Sequence, residues 1–306
     1  MAIESVVLVM QGTEYPLTYN STTQKYTATI TAPSASSYNQ TGGYYALQIK
    51  ATDDAGNVTT IDTTHATLGD DLKLVVKETT KPTITIVSPT SGAKLSTNAP
   101  TITFKVTDAG SGVNVSSAVL KVDGTTITGL TSTAITNGYQ FTATASGLAD
   151  GSHTITVNAS DNDGNAGTQK TATFTTDTTL PDLNITAPTN NLVTSSRTVA
   201  YAGTTNDVTT SPVTLTYQIK LGQTTSSSGT ITVGNNGAFS GDFTLPETDG
   251  TYTLIFTSTD SAGNATTVER TVTLNRSPPV ITAVTITPNP VNTSQTFTIT
   301  VTVTDT

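Results

Sequence analysis

Three stretches align without a gap and decide how the rest of the chain is read: "YALQIKATDDAGN" (45–57), "HTITVNASDNDGN" (153–165) and "YTLIFTSTDSAGN" (252–264). Each alternates. Leu47, Ile49 and Ala51 share one face, as do Ile155, Val157 and Ala159, and then Leu254, Phe256 and Ser258. Period two with one apolar face is a half-buried antiparallel strand. The aspartates Asp53, Asp161 and Asp260 follow one another at 108 and 99 residues, the period of a domain rather than of a short solenoid repeat.

Further alternating segments recur at about 8–12 residues, with Gly, Asp and Asn between them, and no segment carries a helical period. Roughly 100 residues of short alternating strands is the pattern of an immunoglobulin-like β-sandwich. The fold expected is therefore all-β, with sandwiches in tandem. "TKPTITIVSP" (80–89), "TLPDLNITAP" (179–188) and "SPPVITAVTITP" (277–288) each put proline at a domain entrance, where it stiffens the chain. The domains expected are 1–78, 79–178 and 179–276, with 277–306 as the opening strands of a further module. Short, stiff joints predict a rod.

Composition narrows the function. Charged residues are 11% of the 306, and the net charge is −9 from 13 basic and 22 acidic residues with no Lys/Arg cluster, so phosphate-backbone binding is not expected. No span approaches the roughly 20 apolar residues of a membrane helix. The absence of cysteine removes disulfides, thiolate metal sites and Cys nucleophiles. The absence of tryptophan weakens a sugar-stacking platform. Read as a natural start, "MAIESVVLVMQG" lacks the basic opening and long apolar stretch of a secretion signal.

"TDSAGN" followed by a strand, "TDTTLPDLNITAP", and "VTDAGSGVNVSSAVLKVDG" (106–124) resemble the bacterial Ig-like domain family, over nearly the whole chain. The leaderless start and domain order resemble, more loosely, Ig-like proteins carried by tailed bacteriophages of gut bacteria. That resemblance implies a non-enzymatic virion structural or adhesion protein, tail- or capsid-associated, assembled in the host cytoplasm, with itself or another virion protein as partner and weak binding to host cell-surface glycans. The alternative is a stalk segment of a bacterial cell-surface adhesin, located at the cell surface. A third reading, an accessory domain of a secreted glycosidase, has no residue in its support.

"DNDGN" (161–165) poses the question of a metal. Asp161, Asp163 and Asn165 alternate as in a calcium loop, but the sister loops carry Ala55 and Ala262 where Asp163 stands. An EF-hand would also need Gly at Ala166 and Glu at Ala172. All three loops keep Asp, Gly and Asn, which is turn chemistry. No cofactor is expected; calcium, if bound, belongs at a domain junction with Asp177 nearby. His153 occupies the position of Tyr45 and Tyr252, the edge-capping site of a sandwich. His65 lies among Asp62, Asp70 and Asp71, a weak metal set or a solvated loop. In "APSASSYNQTGGYY" (32–45), Tyr38, Asn39 and Tyr44 sit in the composition of a binding loop.

The ends differ. "SVVLVMQG" (5–12) aligns with "SAVLKVDG" (117–124), before which the second domain has opening strands that the first does not. "PPVITAVTITPNPVNTSQTFTITVTVTD" (278–305) resembles the second domain's opening (81–108): 26 residues separate Pro82 from Asp108 and also Pro279 from Asp305. The expectation is head-to-tail strand complementation through Ile281, Val284, Ile286, Phe297, Ile299 and Val301.

Overall fold

The computed structural model describes residues 2–305. The chain is all-β: among the described residues the helical ones are three single 3₁₀ turns, Ser37–Asn39, Thr41–Gly43 and Asp70–Leu72. It divides into two compact units, residues 1–93 with 97–176, and residues 177–306 with 94–96.

The first unit holds two unequal modules. In the second module (numbered from Thr83), one sheet runs Thr131–Ile135, Gly138–Thr144, Thr101–Thr107, Thr83–Ser88. The facing sheet runs Thr125–Thr126, Val113–Val122, Gly151–Asp161, Lys170–Thr176, Ala93–Leu95. Alternation puts Ile84, Ile102, Phe104, Val106 and Phe141 from one sheet against Leu120, Val122, Ile155, Val157 and Phe174 from the other, all buried. Phe104 and Phe141 are cross-strand partners with stacked rings, 5.0 Å between centroids.

The first module has one complete layer. Ile3–Met10 pairs with Thr13–Pro16 on one side and Tyr45–Asp53 on the other, and Val58–Ile61 follows. Lys73–Leu74 adds two residues to Tyr45 and Ala46, which extends the same layer rather than building a second. Thr18–Asn20 and Lys25–Thr27 pair as a separate two-stranded sheet. Buried large apolar side chains in this module are Met10, Tyr45 and Leu72; Val6, Leu8, Leu47 and Ile49 stay half-buried.

The second unit contains a full sandwich. Its sheets run Asp182–Ala187, Thr198–Asn206, Ala238–Thr244, and Leu192–Thr194, Ala265–Leu274, Gly250–Thr259, Thr214–Leu221, Thr224–Ile231. Val199, Leu215, Phe243, Tyr252, Leu254, Phe256 and Val272 form its core. Leu192–Thr194 runs parallel to Val272–Leu274, whereas the other pairs of that sheet are antiparallel. Among the described residues, Val280–Thr287 and Thr298–Thr304 then pair only with each other.

Candidate functional site

The three D-x-x-G-N loops are built alike. Asp53 Oδ1 accepts the N–H of Ala55 and of Asn57, both at 2.9 Å. Asp161 Oδ1 accepts from Asn165 N at 2.7 Å and its Oδ2 from Asn165 Nδ2 at 2.7 Å. Asp260 Oδ1 accepts from the backbone of Ala262, Gly263 and Asn264 at 2.7–2.9 Å, and Oδ2 from Asn264 Nδ2. Each aspartate therefore closes its own turn, and the glycine beside it takes the positive φ that the turn needs (Gly56 81°, Gly164 95°, Gly263 99°).

Tertiary structure adds two acids to two of these loops. Glu78, Asp108 and Asp161 bring carboxylate oxygens within 4.8 Å of one another, as do Asp177, Asp207 and Asp260. The same 99-residue spacing relates Glu78 to Asp177, Asp108 to Asp207 and Asp161 to Asp260. In the first triad Asp108 Oδ1 accepts from Gly110 N at 3.0 Å and Gly112 N at 2.8 Å, and Glu78 Oε1 accepts from Ser111 N. A Cβ on Gly110 would collide with the Glu78 carboxylate. In the second triad Asp207 Oδ1 accepts from Thr209 N and Thr210 N, and Asp177 Oδ2 from the Thr210 hydroxyl.

Burial pushes the Asp108 carboxyl above its ordinary value, with the Glu78 and Asp161 charges adding to it against the N–H groups of Gly112 and Gly110. Burial also opposes ionisation of Asp260, but there the Asn264 amide and the turn's N–H groups outweigh it, so its pKa falls. An all-oxygen carboxylate set suits a hard divalent cation such as Ca²⁺, which takes about six to eight oxygens. Three acids supply part of such a shell. Among the described residues no buried side-chain polar atom lacks a partner, so the triads are satisfied by their own turns.

The four residues considered for calcium are distributed over this arrangement. Asp161 belongs to the first triad and Asp177 to the second. Asp163 instead accepts the N–H of Glu78 at 3.0 Å, and the Asn165 amide donates to Glu78 O at 3.1 Å, so both tie the incoming chain to the turn. Sequence reading missed Glu78, Asp108 and Asp207. Their signal was available: two repeat at the ends of strands and one precedes an entrance proline, all at the loop's own spacing. His65 Nδ1 faces the N–H groups of Thr67 and Leu68, Asp62 accepts from Thr64, and Asp70 pairs with Lys73 at 2.6 Å, so these groups serve local turns.

His153 Nε2–H donates to Ala149 O (2.8 Å), as the Tyr252 hydroxyl donates to Thr248 O (2.6 Å), both four residues upstream. Its Nδ1 meets Asp123 Oδ2 at 2.6 Å. Burial raises the Asp123 carboxyl, and the His153 hydrogen bond and Thr154 N–H more than reverse that. The histidine thus caps the sandwich.

The 32–45 segment is tied down. Ser37 Oγ donates to Gly43 O and accepts from Val76 N, and the Tyr45 hydroxyl donates to Ala35 O. Asn39 Nδ2 donates to Gly110 O at 2.7 Å, which makes it a strut between the two modules of this unit. Tyr44 is half-buried with Lys73 Nζ 5.4 Å from its ring, while Tyr38 is 51% exposed. A recess of about 370 Å³ beside Asn206, Ser211, Pro212 and Asn235 has no charged side chain in its lining. In the last hairpin Ile281, Val284, Ile286, Phe297, Ile299 and Val301 are all exposed.

Sandwiches in tandem with turn-closing aspartates define a modular Ig-type chain. Three family models match successive segments: a bacterial Ig-like domain over residues 5–69, a bacterial Ig domain over 82–157, and glucodextranase domain B over 181–276. Modules of these kinds are non-catalytic building blocks. No curated protein matches the chain. Among solved structures, the fibronectin(III)-like modules of Clostridium thermocellum CbhA are 17% identical, with 63% of this chain and 94% of that one covered and a TM-score of 0.41. The extending region of a large adhesion protein is 19% identical (98% and 79% covered, TM-score 0.33). A Ca²⁺-stabilised adhesin of an Antarctic bacterium is 20% identical (94% and 68%, TM-score 0.37). These likenesses concern the strand architecture alone. Among the described residues no helix is long and apolar enough to cross a membrane.

Proposed function

We propose that the protein is a non-catalytic structural segment of a bacterial surface appendage, a stalk that holds a partner at a distance and bears tension along the chain. One observation carries this reading: an early strand and the last strand of the module in the second unit, Leu192–Thr194 and Val272–Leu274, are parallel neighbours. A pull on the two ends of that module loads this pair in shear, so its hydrogen bonds share the force instead of opening one after another. Asn275 N donating to Thr194 O at 3.0 Å extends the same ladder.

Force spectroscopy on the full chain tests it. The module is expected to give a distinct high-force unfolding event. Thr194→Pro, which cannot donate to the ladder, is expected to lower that force much more than it lowers the melting temperature. Unfolding of the unmodified module at the low force of a peeled antiparallel hairpin would end the reading. Placement on a phage particle, with host glycans as weak ligands, is a narrower form of the same role and rests on the sequence resemblance. Gold-labelled antibodies on purified particles and on cells separate the two locations.

A further inference from the structure

We propose that two recesses meeting at Gly234, in the sandwich of the second unit, form one site for an uncharged sugar chain, with a hexose ring in each.

The first recess, about 370 Å³, lies between the segment 206–213 and the loop 233–237. The second, about 570 Å³, is lined by Thr186, Ala202, Thr204 and Ser240 on the three-stranded sheet. Thr204 and Ser240 are exposed while their strand neighbours Gly203, Thr205 and Phe239 are buried, so this recess lies over the outer face of that sheet. Gly234 lines both recesses. Each has the size of a small-ligand site, about 300–1,000 Å³.

The walls are set before any ligand arrives. Gly237 takes a φ of 79°, and a Cβ there would stand 2.3 Å from Thr205 O, so the loop closes in this way only with glycine. Gly237 N donates to Gly234 O, Gly234 N to Ala238 O and Thr205 N to Gly237 O, each at 2.8 Å. Across the first recess, Asp207 Oδ1 accepts from Thr209 N and Thr210 N, and Ser261 N donates to Thr210 O at 3.1 Å. Pre-formed walls leave binding little ordering cost.

The lining sets the chemistry of the ligand. Among the described residues no charged side chain lines either recess, in a chain of net charge −9. An ion would lose hydration there and gain no counter-charge. Thr204, Thr232, Asn235 and Ser240 are exposed, and among the described residues their side chains make no hydrogen bond within the chain. Hydroxyls and amides both donate and accept, as the hydroxyls of a sugar do. Pro212, Val213 and Val233 give the first recess an apolar wall for the C–H face of a pyranose ring. The free groups are side chains, whereas strand addition by a peptide draws on backbone N–H and C=O. The one aromatic residue in either lining, Phe239, is itself buried, so binding is weak, with a Kd of about 1–10 mM. The site goes beyond the load-bearing role and does not depend on it, since a stalk carries force with the recesses empty.

Amide NMR on the isotope-labelled full chain, titrated separately with maltose, lactose and chitobiose, tests the site. At least one of these sugars is expected to give saturable shifts centred on Asn206, Gly234, Gly237 and Ser240. Asn235→Ala is expected to weaken that binding about fivefold, the worth of one hydrogen bond, with the rest of the spectrum unchanged. Thr253→Ala, on the outer face of the opposite sheet, is expected to bind as the unmodified chain does. No saturable shift with any of the three sugars, shifts centred on other residues, unchanged affinity in Asn235→Ala, or the same amides moved instead by a neutral glycine–serine peptide would each overturn the proposal.

Discussion

Tyr45–Asp53 and Gly151–Asp161 carry the same alternation and end in the same turn, yet their inward faces differ. Ile155, Val157 and Ala159 are 0–4% exposed, while Leu47, Ile49 and Ala51 are half-buried. The pattern of a strand therefore states which face prefers burial, and the elements packed over it decide whether burial occurs. In the second module Thr83–Ser88 and Thr101–Thr107 provide that cover; in the first no such pair is present among the described residues. The energetic difference is large, because each fully buried aliphatic side chain contributes about 1.5–3 kcal/mol.

The comparison breaks most sharply at its core. Phe104→Ala removes a 0%-exposed ring stacked on Phe141 and is expected to destabilise the second module by about 3–5 kcal/mol. Urea unfolding followed by hydrogen exchange of that module's peptides measures it. Next comes a matched pair: Leu120→Ala is expected to cost about 2–5 kcal/mol and Leu8→Ala, at the aligned position, less than half as much. Equal costs would show that the first module's face is covered as well as the second's.

A smaller effect separates the acids. The folded-state pKa of Asp108 is raised above its ordinary 3.8, so its ionised form weakens the fold, and stability rises as pH falls through that raised value. Asp108→Asn keeps an oxygen for Gly110 and Gly112 without the charge, and is expected to raise the second module's melting temperature by a few degrees at neutral pH. That gain fades on acidification. Asp260 behaves in the opposite sense: its pKa is lowered, so its stabilisation is complete above the ordinary value and is lost as pH falls through the lowered one. Asp260→Ala should therefore destabilise its module at neutral pH and matter progressively less in acid. The smallest expected difference is kinetic: amides of Tyr45–Asp53 exchange faster than those of Gly151–Asp161 in dilute protein.

Much of this was legible in the sequence. Period two gave the strands, the 108- and 99-residue spacings gave the modules, and the invariant Asp, Gly and Asn gave the turns, because backbone pairing and turn chemistry are local. The position shared by His153 and Tyr252 read correctly for the same reason, since both reach a carbonyl four residues back. The acid triads did not emerge, although their members repeat with the loops. Glu78 and Asp108 lie 30 residues apart in sequence, and only the crossing from one module into the next brings them to Asp161. Nor could composition tell that Asn39 would be consumed by Gly110 while Tyr38 stayed exposed.

By itself, then, the sequence determined the alternation, the turns and the order of modules, all of which follow from stereochemistry within a few residues. Tertiary structure alone decided which apolar faces are covered, which acids meet and which loop residues are spent, because burial and charge proximity depend on segments that approach only when the sheets stack.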